Sequence, residues 1–129
     1  MKALVLIGSA VILTLLGGYY VFDLFFVRQC EPAGWPTTAF TRRAWLNAAP
    51  EKRYEFVNSI LTNGVLKGAT REVVVAELGE PSKKSGDGSY FVYHVRTFGD
   101  SSCILSSFAL LDISFDASGK VTGLRTYTD

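Results

Sequence analysis

The sequence lacks the groups of residues from which most catalytic and metal sites are built. It has one histidine, His94, and two cysteines, and a lone histidine cannot form a metal site with histidine partners. The nucleophile elbow, the H-E-x-x-H helix, the phosphate-binding loop and the C-x-x-C pair are all missing. We therefore expect no catalytic residue, cofactor-binding residue, metal ligand or small-molecule substrate. We interpret His94 as a structural or surface residue.

The sequence also lacks an excess of charge of either sign. Thirteen basic and twelve acidic residues give a formal net charge of +1. Lys2, Asp23 and Arg28 are the charged residues of the first thirty, so eleven of each sign remain and cancel. A neutral domain offers no footprint for nucleic acid and no polybasic patch for anionic lipid. We therefore expect no nucleic-acid partner.

One long apolar run opens the chain, and Asp23 is its single charged residue between positions 3 and 27. A helix needs about 20 apolar residues to cross a bilayer core. Aromatic residues cluster near the end of the run, where an interfacial belt lies in membrane proteins. The run predicts a transmembrane helix: residues 1–29 form a signal anchor, with residues 3–27 in the lipid bilayer.

The run has two other interpretations. A cleaved signal peptide has an apolar region of about 7–15 residues and a small-x-small cleavage site; this run is longer and no such site follows it, so we favour an uncleaved anchor. A lipoprotein needs small residues before its cysteine, whereas Val27, Arg28 and Gln29 precede Cys30. The basic residues on the two sides of the run nearly balance, so charge leaves the orientation open.

The rest of the chain predicts helices first and strands afterwards. Residues 30–40 contain two prolines and indicate a linker. Residues 41–46 predict a short helical turn, and 50–62 an amphipathic helix that begins at Pro50. A second helix begins after the N-cap Thr70, ends at Gly79 and cannot continue past Pro81.

The last third alternates apolar and polar residues, as half-buried strands do. Residues 82–88 predict a polar loop. Strands follow at 90–98, at 104–115 with a bulge near 106–107, and at 121–127, and residues 116–119 form a tight hairpin. The predicted fold class is α+β: an N-terminal transmembrane helix, then an α-α-β-β-β domain with two helices packed on a three-stranded antiparallel sheet.

One face of the first long strand is a candidate partner surface. Tyr90, Val92, His94 and Arg96 alternate along it, and aromatic residues and arginine are enriched at interfaces. A partly solvated face without a partner explains the same pattern equally well. Asp112 and Asp116 fit a strand face and a turn better than an acid/base pair.

The two cysteines, Cys30 and Cys103, are a candidate disulfide. In an oxidising compartment they could close a loop of about 70 residues and add several kcal/mol of stability. The alternative is that Cys30 lies too near the bilayer to reach Cys103.

A set of motifs between positions 40 and 127 consists of Trp45, Arg53, Phe56, Val57, Leu66, Gly68, Thr70, Val74, Leu78, Gly79, Pro81, Tyr93, Phe115, Asp116, Gly119, Lys120 and Val121. This set resembles the BamE/SmpA-like family of small bacterial envelope proteins. The resemblance implies an α-α-β-β-β domain over residues 41–129, similar to one repeat of the β-lactamase-inhibitor-like modules, that binds envelope proteins without catalysis. Family members carry a lipid-modified cysteine where this chain has an apolar run, so the resemblance favours the bacterial inner membrane with the domain in the periplasm.

Together these observations predict a membrane-tethered, non-catalytic protein-binding module of the bacterial cell envelope, whose protein partner is unknown. Two alternatives come from other functional classes. One is an immunity-type inhibitor of a periplasmic toxin, and the other is an accessory subunit of a membrane protein complex.

Overall fold

The computed structural model describes residues 2–23, 30, 32–99, 103 and 106–129 of the chain. Helices precede strands, and short 3-10 turns lie at Pro32–Gly34 and Pro50–Lys52. The helices are α1 (Lys2–Phe22), α2 (Arg42–Asn47), α3 (Tyr54–Asn63) and α4 (Arg71–Leu78), and the strands are β1 (Lys83–Lys84), β2 (Tyr90–Thr97), β3 (Phe108–Phe115) and β4 (Val121–Thr128).

The predicted transmembrane helix is wrong, and with it the signal anchor and the single-pass inner-membrane localisation. In the part of the chain that the structure describes, no helix has both the length and the apolar character needed to cross a bilayer. The prediction counted one helix through to position 27, whereas α1 ends at Phe22. Positions 24–27, which the count included, lie outside the described residues.

The three-stranded sheet is also wrong, because the described residues form a sheet of four antiparallel strands in the order β1-β2-β3-β4. The additional strand, β1, lies within the segment predicted as a loop. Lys83 pairs with Val92 and Lys84 with Phe91. Two adjacent lysines carry no apolar alternation, so this strand exists only through its backbone pairing with β2 and leaves no signal in the sequence.

The helix ends follow from local side-chain chemistry. The hydroxyl of Thr41 accepts a hydrogen bond from the Ala44 backbone and caps α2, and Thr70 caps α4 in the same way; both caps satisfy otherwise unpaired N–H groups. Gly79 ends α4 with a φ of 77°, a conformation in which a side chain is strained. The predicted helix at 50–62 divides into a 3-10 turn at Pro50–Lys52 and α3.

The core lies between the helices and one face of the sheet. Trp45 of α2 is fully buried, and its indole N–H donates a hydrogen bond of 2.9 Å to the carbonyl of Leu78 at the end of α4. The hydroxyl of Tyr93 donates to the next carbonyl, that of Gly79, at 2.9 Å. Burial, reinforced by Glu80, raises the pKa of the Tyr93 phenol, which keeps this donor protonated. The core side chains are Trp35, Trp45, Phe56, Val57, Ile60, Leu66, Val74, Leu78, Phe91, Tyr93, Val95, Ala109, Leu111, Ile113 and Phe115.

The hairpin between β3 and β4 has the predicted form. Gly119 has a φ of 80°, and its N–H donates to the carbonyl of Asp116. The register shifts lie between His94 and Arg96 in β2 and between Ser114 and Phe115 in β3. The bulge predicted near 106–107 is therefore wrong, because β3 begins only at Phe108.

Candidate functional site

The outer sheet face is the side of the sheet that points away from α2, α3 and α4. Side chains alternate between the two faces of a strand, so the buried odd-numbered residues of β3 face the core and its even-numbered residues face outward. Phe108 is 44% exposed and Tyr127 is 39% exposed, large fractions for aromatic residues. The outer sheet face consists of Lys83, Tyr90, Val92, His94, Phe108, Leu110, Asp112, Ser114, Gly123, Arg125 and Tyr127.

An ion pair lies in the middle of this face. Arg125 of β4 stands opposite Asp112 of β3 in the register, and its Nε and Nη2 atoms donate to the same carboxylate oxygen, Oδ2, at 2.9 and 2.8 Å. The Asp112 side chain is 8% exposed, whereas that of Arg125 is 75% exposed. The pair is therefore a buried carboxylate covered by a solvated guanidinium, and the strength of the pair is moderated by water on the arginine side.

The second oxygen of Asp112 is buried, and it has no partner among the described residues. Its Oδ1 atom makes no hydrogen bond to any part of the chain that the structure describes. A buried charged oxygen without a donor costs free energy, so the local polar network is incomplete. A pocket of about 310 Å³ adjoins this pair, and its lining residues are Lys83, Tyr90, Val92, Asp112, Arg125 and Tyr127.

His94 belongs to the outer sheet face and packs on an aromatic neighbour. Its ring meets that of Phe108 edge to face, with 5.3 Å between the ring centroids. Its Nε2 atom lies 3.2 Å from the hydroxyl oxygen of Thr97. Within the described residues, no group of three or more histidine, cysteine, aspartate or glutamate side chains could hold a metal ion.

Arg96 does not share a face with the other three predicted surface residues. The bulge after His94 leaves Val95 without a partner of its own and places Arg96 opposite Ala109, a core-facing residue. A bulge of this kind reverses the alternation beyond it. The Arg96 guanidinium therefore lies over the ring of Tyr54, at 4.3 Å from the centroid. Tyr90, Val92 and His94 remain together on the outer sheet face, and the four-residue surface is wrong in Arg96.

Asp112 and Asp116 have separate structural roles. Whereas Asp112 pairs with Arg125, Asp116 lies in the hairpin and accepts hydrogen bonds through Oδ1 from the backbone N–H groups of Ser118 and Lys120. The Ser118 hydroxyl, followed by the Lys120 N–H, lowers the pKa of the Asp116 carboxyl. Each carboxylate therefore has a local structural partner.

Cys30 and Cys103 form a disulfide in the structure, with their Cα atoms 5.6 Å apart. The bond joins residues separated by 73 positions in the sequence. It fastens the start of the domain to the segment between β2 and β3, and Cys103 is buried. Structural disulfides are characteristic of oxidising compartments.

The sequence pattern predicted one strand of this face and did not reveal its neighbours. Phe108, Leu110 and Tyr127 extend the apolar surface, and Arg125 forms its central ion pair. Arg125 and Tyr127 do alternate with their neighbours in the last strand of the sequence. That they lie on the same face as Tyr90, Val92 and His94 follows only from the strand order and the register.

Comparison with protein-family models, with curated proteins and with solved structures finds no match to this chain. The resemblance to the BamE/SmpA-like family therefore stays a prediction.

Proposed function

We propose that this chain is a non-catalytic protein-binding module that works in an oxidising compartment and binds its partner through the outer sheet face. The proposal rests on one observation above all: Phe108 and Tyr127 are large, solvent-exposed aromatic residues on the sheet face that the helices leave open. Burying such rings against a partner gives more binding free energy than burying most other side chains.

The surroundings of these rings also suit a protein interface. Leu110, which is half-buried, supplies apolar surface, and Arg125 supplies an exposed cation at the centre. Interfaces commonly combine an aromatic and apolar centre with a few charged groups that set the orientation. A partner that covers Arg125 would also remove water from the Asp112 carboxylate, and this would strengthen the ion pair.

The compartment is part of the proposal because of the cysteines. The disulfide between Cys30 and Cys103 persists where thiols are oxidised and is rare where glutathione keeps them reduced. In an oxidising compartment the disulfide stays formed, so the domain is still cross-linked when it binds its partner.

Site-directed photo-crosslinking tests the proposal. A photoreactive phenylalanine analogue replaces Tyr127 in one variant and Val73 in a matched control, in the cells that naturally make the chain. Val73 is also an exposed large apolar residue, at 45%, but it belongs to α4. We expect a discrete adduct from position 127 that unmodified chain competes away, and none from position 73. Equal labelling from both positions, or none from either, contradicts the proposal.

A further inference from the structure

The two edges of the sheet differ in how well they are protected. β1 forms one edge with only two residues, both lysines, and short, lysine-bearing edges resist pairing with another strand. β4 forms the other edge with eight residues. From Thr122 to Thr128 this edge contains no proline and no lysine. Shortness and lysine side chains therefore protect one edge, whereas residues 122–128 of the other edge have neither of these two devices.

The hydrogen-bond pattern shows which backbone groups of β4 point outward. Phe108 and Asp129 exchange both backbone hydrogen bonds at 3.0 Å, so they are a hydrogen-bonded pair of the antiparallel ladder. Such pairs alternate along two strands. In the observed register, Tyr127 and Arg125 therefore also direct their N–H and C=O groups toward β3. The N–H and C=O groups of Leu124, Thr126 and Thr128 point to the outer edge.

One end of this edge already pairs with another segment. Thr70 and Lys120 form an isolated antiparallel bridge, and the N–H of Val121 donates to the carbonyl of Ala69 at 2.9 Å. The loop before α4 thus occupies the first residues of the edge and then turns away into the helix. The backbone beyond it remains open among the described residues, and no residue of β4 is buried.

We propose that the open part of β4, residues 122–128, accepts an extended strand of a partner protein that carries an acidic side chain opposite Arg125. Added strands are held mainly by backbone hydrogen bonds, and alternate side chains select the sequence. The existing Thr70–Lys120 bridge is antiparallel, and the added strand takes the same direction. The Arg125 guanidinium, 75% exposed, attracts the acidic side chain across the outer sheet face.

Strand addition to β4 rests on the proposed function, because it assumes that the chain binds a protein and specifies how that protein binds. The Arg125 side chain lies on the outer sheet face, whereas the outward backbone groups belong to Leu124, Thr126 and Thr128. A partner that uses only the outer sheet face leaves those three N–H groups exposed to solvent. The two modes can therefore be separated residue by residue.

Amide hydrogen exchange measured by NMR on the full chain is the experiment. The probe is the acetylated and amidated peptide Thr-Thr-Val-Glu-Val-Thr-Thr, added at millimolar concentration. We expect the amides of Leu124, Thr126 and Thr128 to slow at least tenfold at saturation, whereas those of Arg125 and Tyr127, already bonded to β3, stay unchanged. Replacing the peptide glutamate by lysine should weaken binding about two- to fivefold.

Two perturbations remove the backbone bonds selectively. Thr126→Pro deletes an outward N–H that β3 does not use, a position where an edge strand tolerates proline, and Thr126→Ala is the matched control that keeps it. We expect the peptide to bind the proline variant at least fivefold more weakly than the control. A peptide that is N-methylated at both valines tests the same bonds without changing the protein, so the test stands even if the proline variant does not fold.

Uniform protection along β4, no protection at saturating peptide, or equal binding by the two Thr126 variants would overturn the inference. Concentration-dependent protection of the same amides without peptide would also overturn it, because a second copy of the chain would then be the occupant. The proposed function fails by a different result, namely the loss of specific photo-crosslinks from position 127. Crosslinks that survive in Thr126→Pro leave that function standing and reject only strand addition.

Discussion

Reduction of the disulfide should remove a large part of the stability of the domain. The bond between Cys30 and Cys103 joins residues 73 positions apart, and the loop that it closes contains α2, α3, α4, β1 and β2. For a loop of this length the chain-entropy relation gives about 4 kcal/mol at 25 °C. A domain of this size typically has about 5–15 kcal/mol in total, so the reduced protein should be markedly easier to unfold.

Urea unfolding followed by tryptophan fluorescence measures this effect. Trp35 and Trp45 are both buried, so their emission reports the loss of the core. With a denaturant dependence of about 1–3 kcal/mol per molar urea, the loss corresponds to a midpoint lower by roughly 1.5–4 M. The dependence of the unfolding free energy on urea concentration should rise modestly, because the reduced unfolded chain exposes more surface. Alkylation and mass measurement before and after reduction verify the redox state.

The double variant Cys30→Ala/Cys103→Ala is the control for the reductant itself. Its unfolding midpoint should match that of the reduced wild-type protein and should not change when reductant is added. If oxidised and reduced wild-type proteins differ by less than about 1 kcal/mol, loop closure does not constrain the unfolded chain as the relation assumes. A double variant as stable as the oxidised protein would refute the reasoning in the same way.

Three further substitutions test the structure at other points. Trp45→Phe should lower the free energy of unfolding by about 2–3 kcal/mol, since it leaves the buried carbonyl of Leu78 without its donor. Thermal unfolding measures this loss of stability, with Trp45→Leu as the comparison variant. Gly119→Ala should cost about 1–2 kcal/mol because of its φ of 80°, and urea midpoints that are unchanged would contradict this. The Ser89 side chain and backbone N–H lower the pKa of Asp87 from 3.8 to about 2. Because the folded carboxyl binds its proton more weakly, its stabilising contribution is present above pH 3.8 and disappears as the pH falls toward 2. Asp87→Asn should therefore flatten the dependence of the unfolding free energy on pH between these two values. NMR titration of the Asp87 carboxyl checks the pKa itself.

Local signals in the sequence predicted α4 and the β3–β4 hairpin well. Thr70, Gly79 and Pro81 mark a helix start, a helix stop and a barrier to continuation, and α4 follows them closely at Arg71–Leu78. The hairpin was equally local, because Gly119 supplies the positive φ that the turn requires. Both features depend on contacts between residues that are close in the sequence.

The features that could not be predicted from the sequence depend on pairing between residues that are distant along the chain. β1 is defined by its register against Val92 and Phe91, and its two lysines do not alternate in polarity. The removal of Arg96 from the outer sheet face depends on one bulge after His94, which an alternating pattern does not reveal. A single shift in register moves every later side chain to the other face, so the candidate site could be predicted only in part.

Strand alternation gives β4 two recognition chemistries on adjacent residues. Arg125 points its side chain to the outer sheet face and its backbone groups to β3, so Arg125→Ala removes side-chain recognition and keeps the edge intact. Thr126 points its backbone groups to the open edge and its side chain to the helix-covered face of the sheet, so Thr126→Pro changes the edge and leaves the face intact. Because Arg125→Ala also leaves the buried Asp112 carboxylate without its cation, circular dichroism has to show that both variants remain folded before their partners are compared. A partner lost from one variant and retained by the other therefore identifies which chemistry binds it, and a partner lost from both uses the strand as a whole.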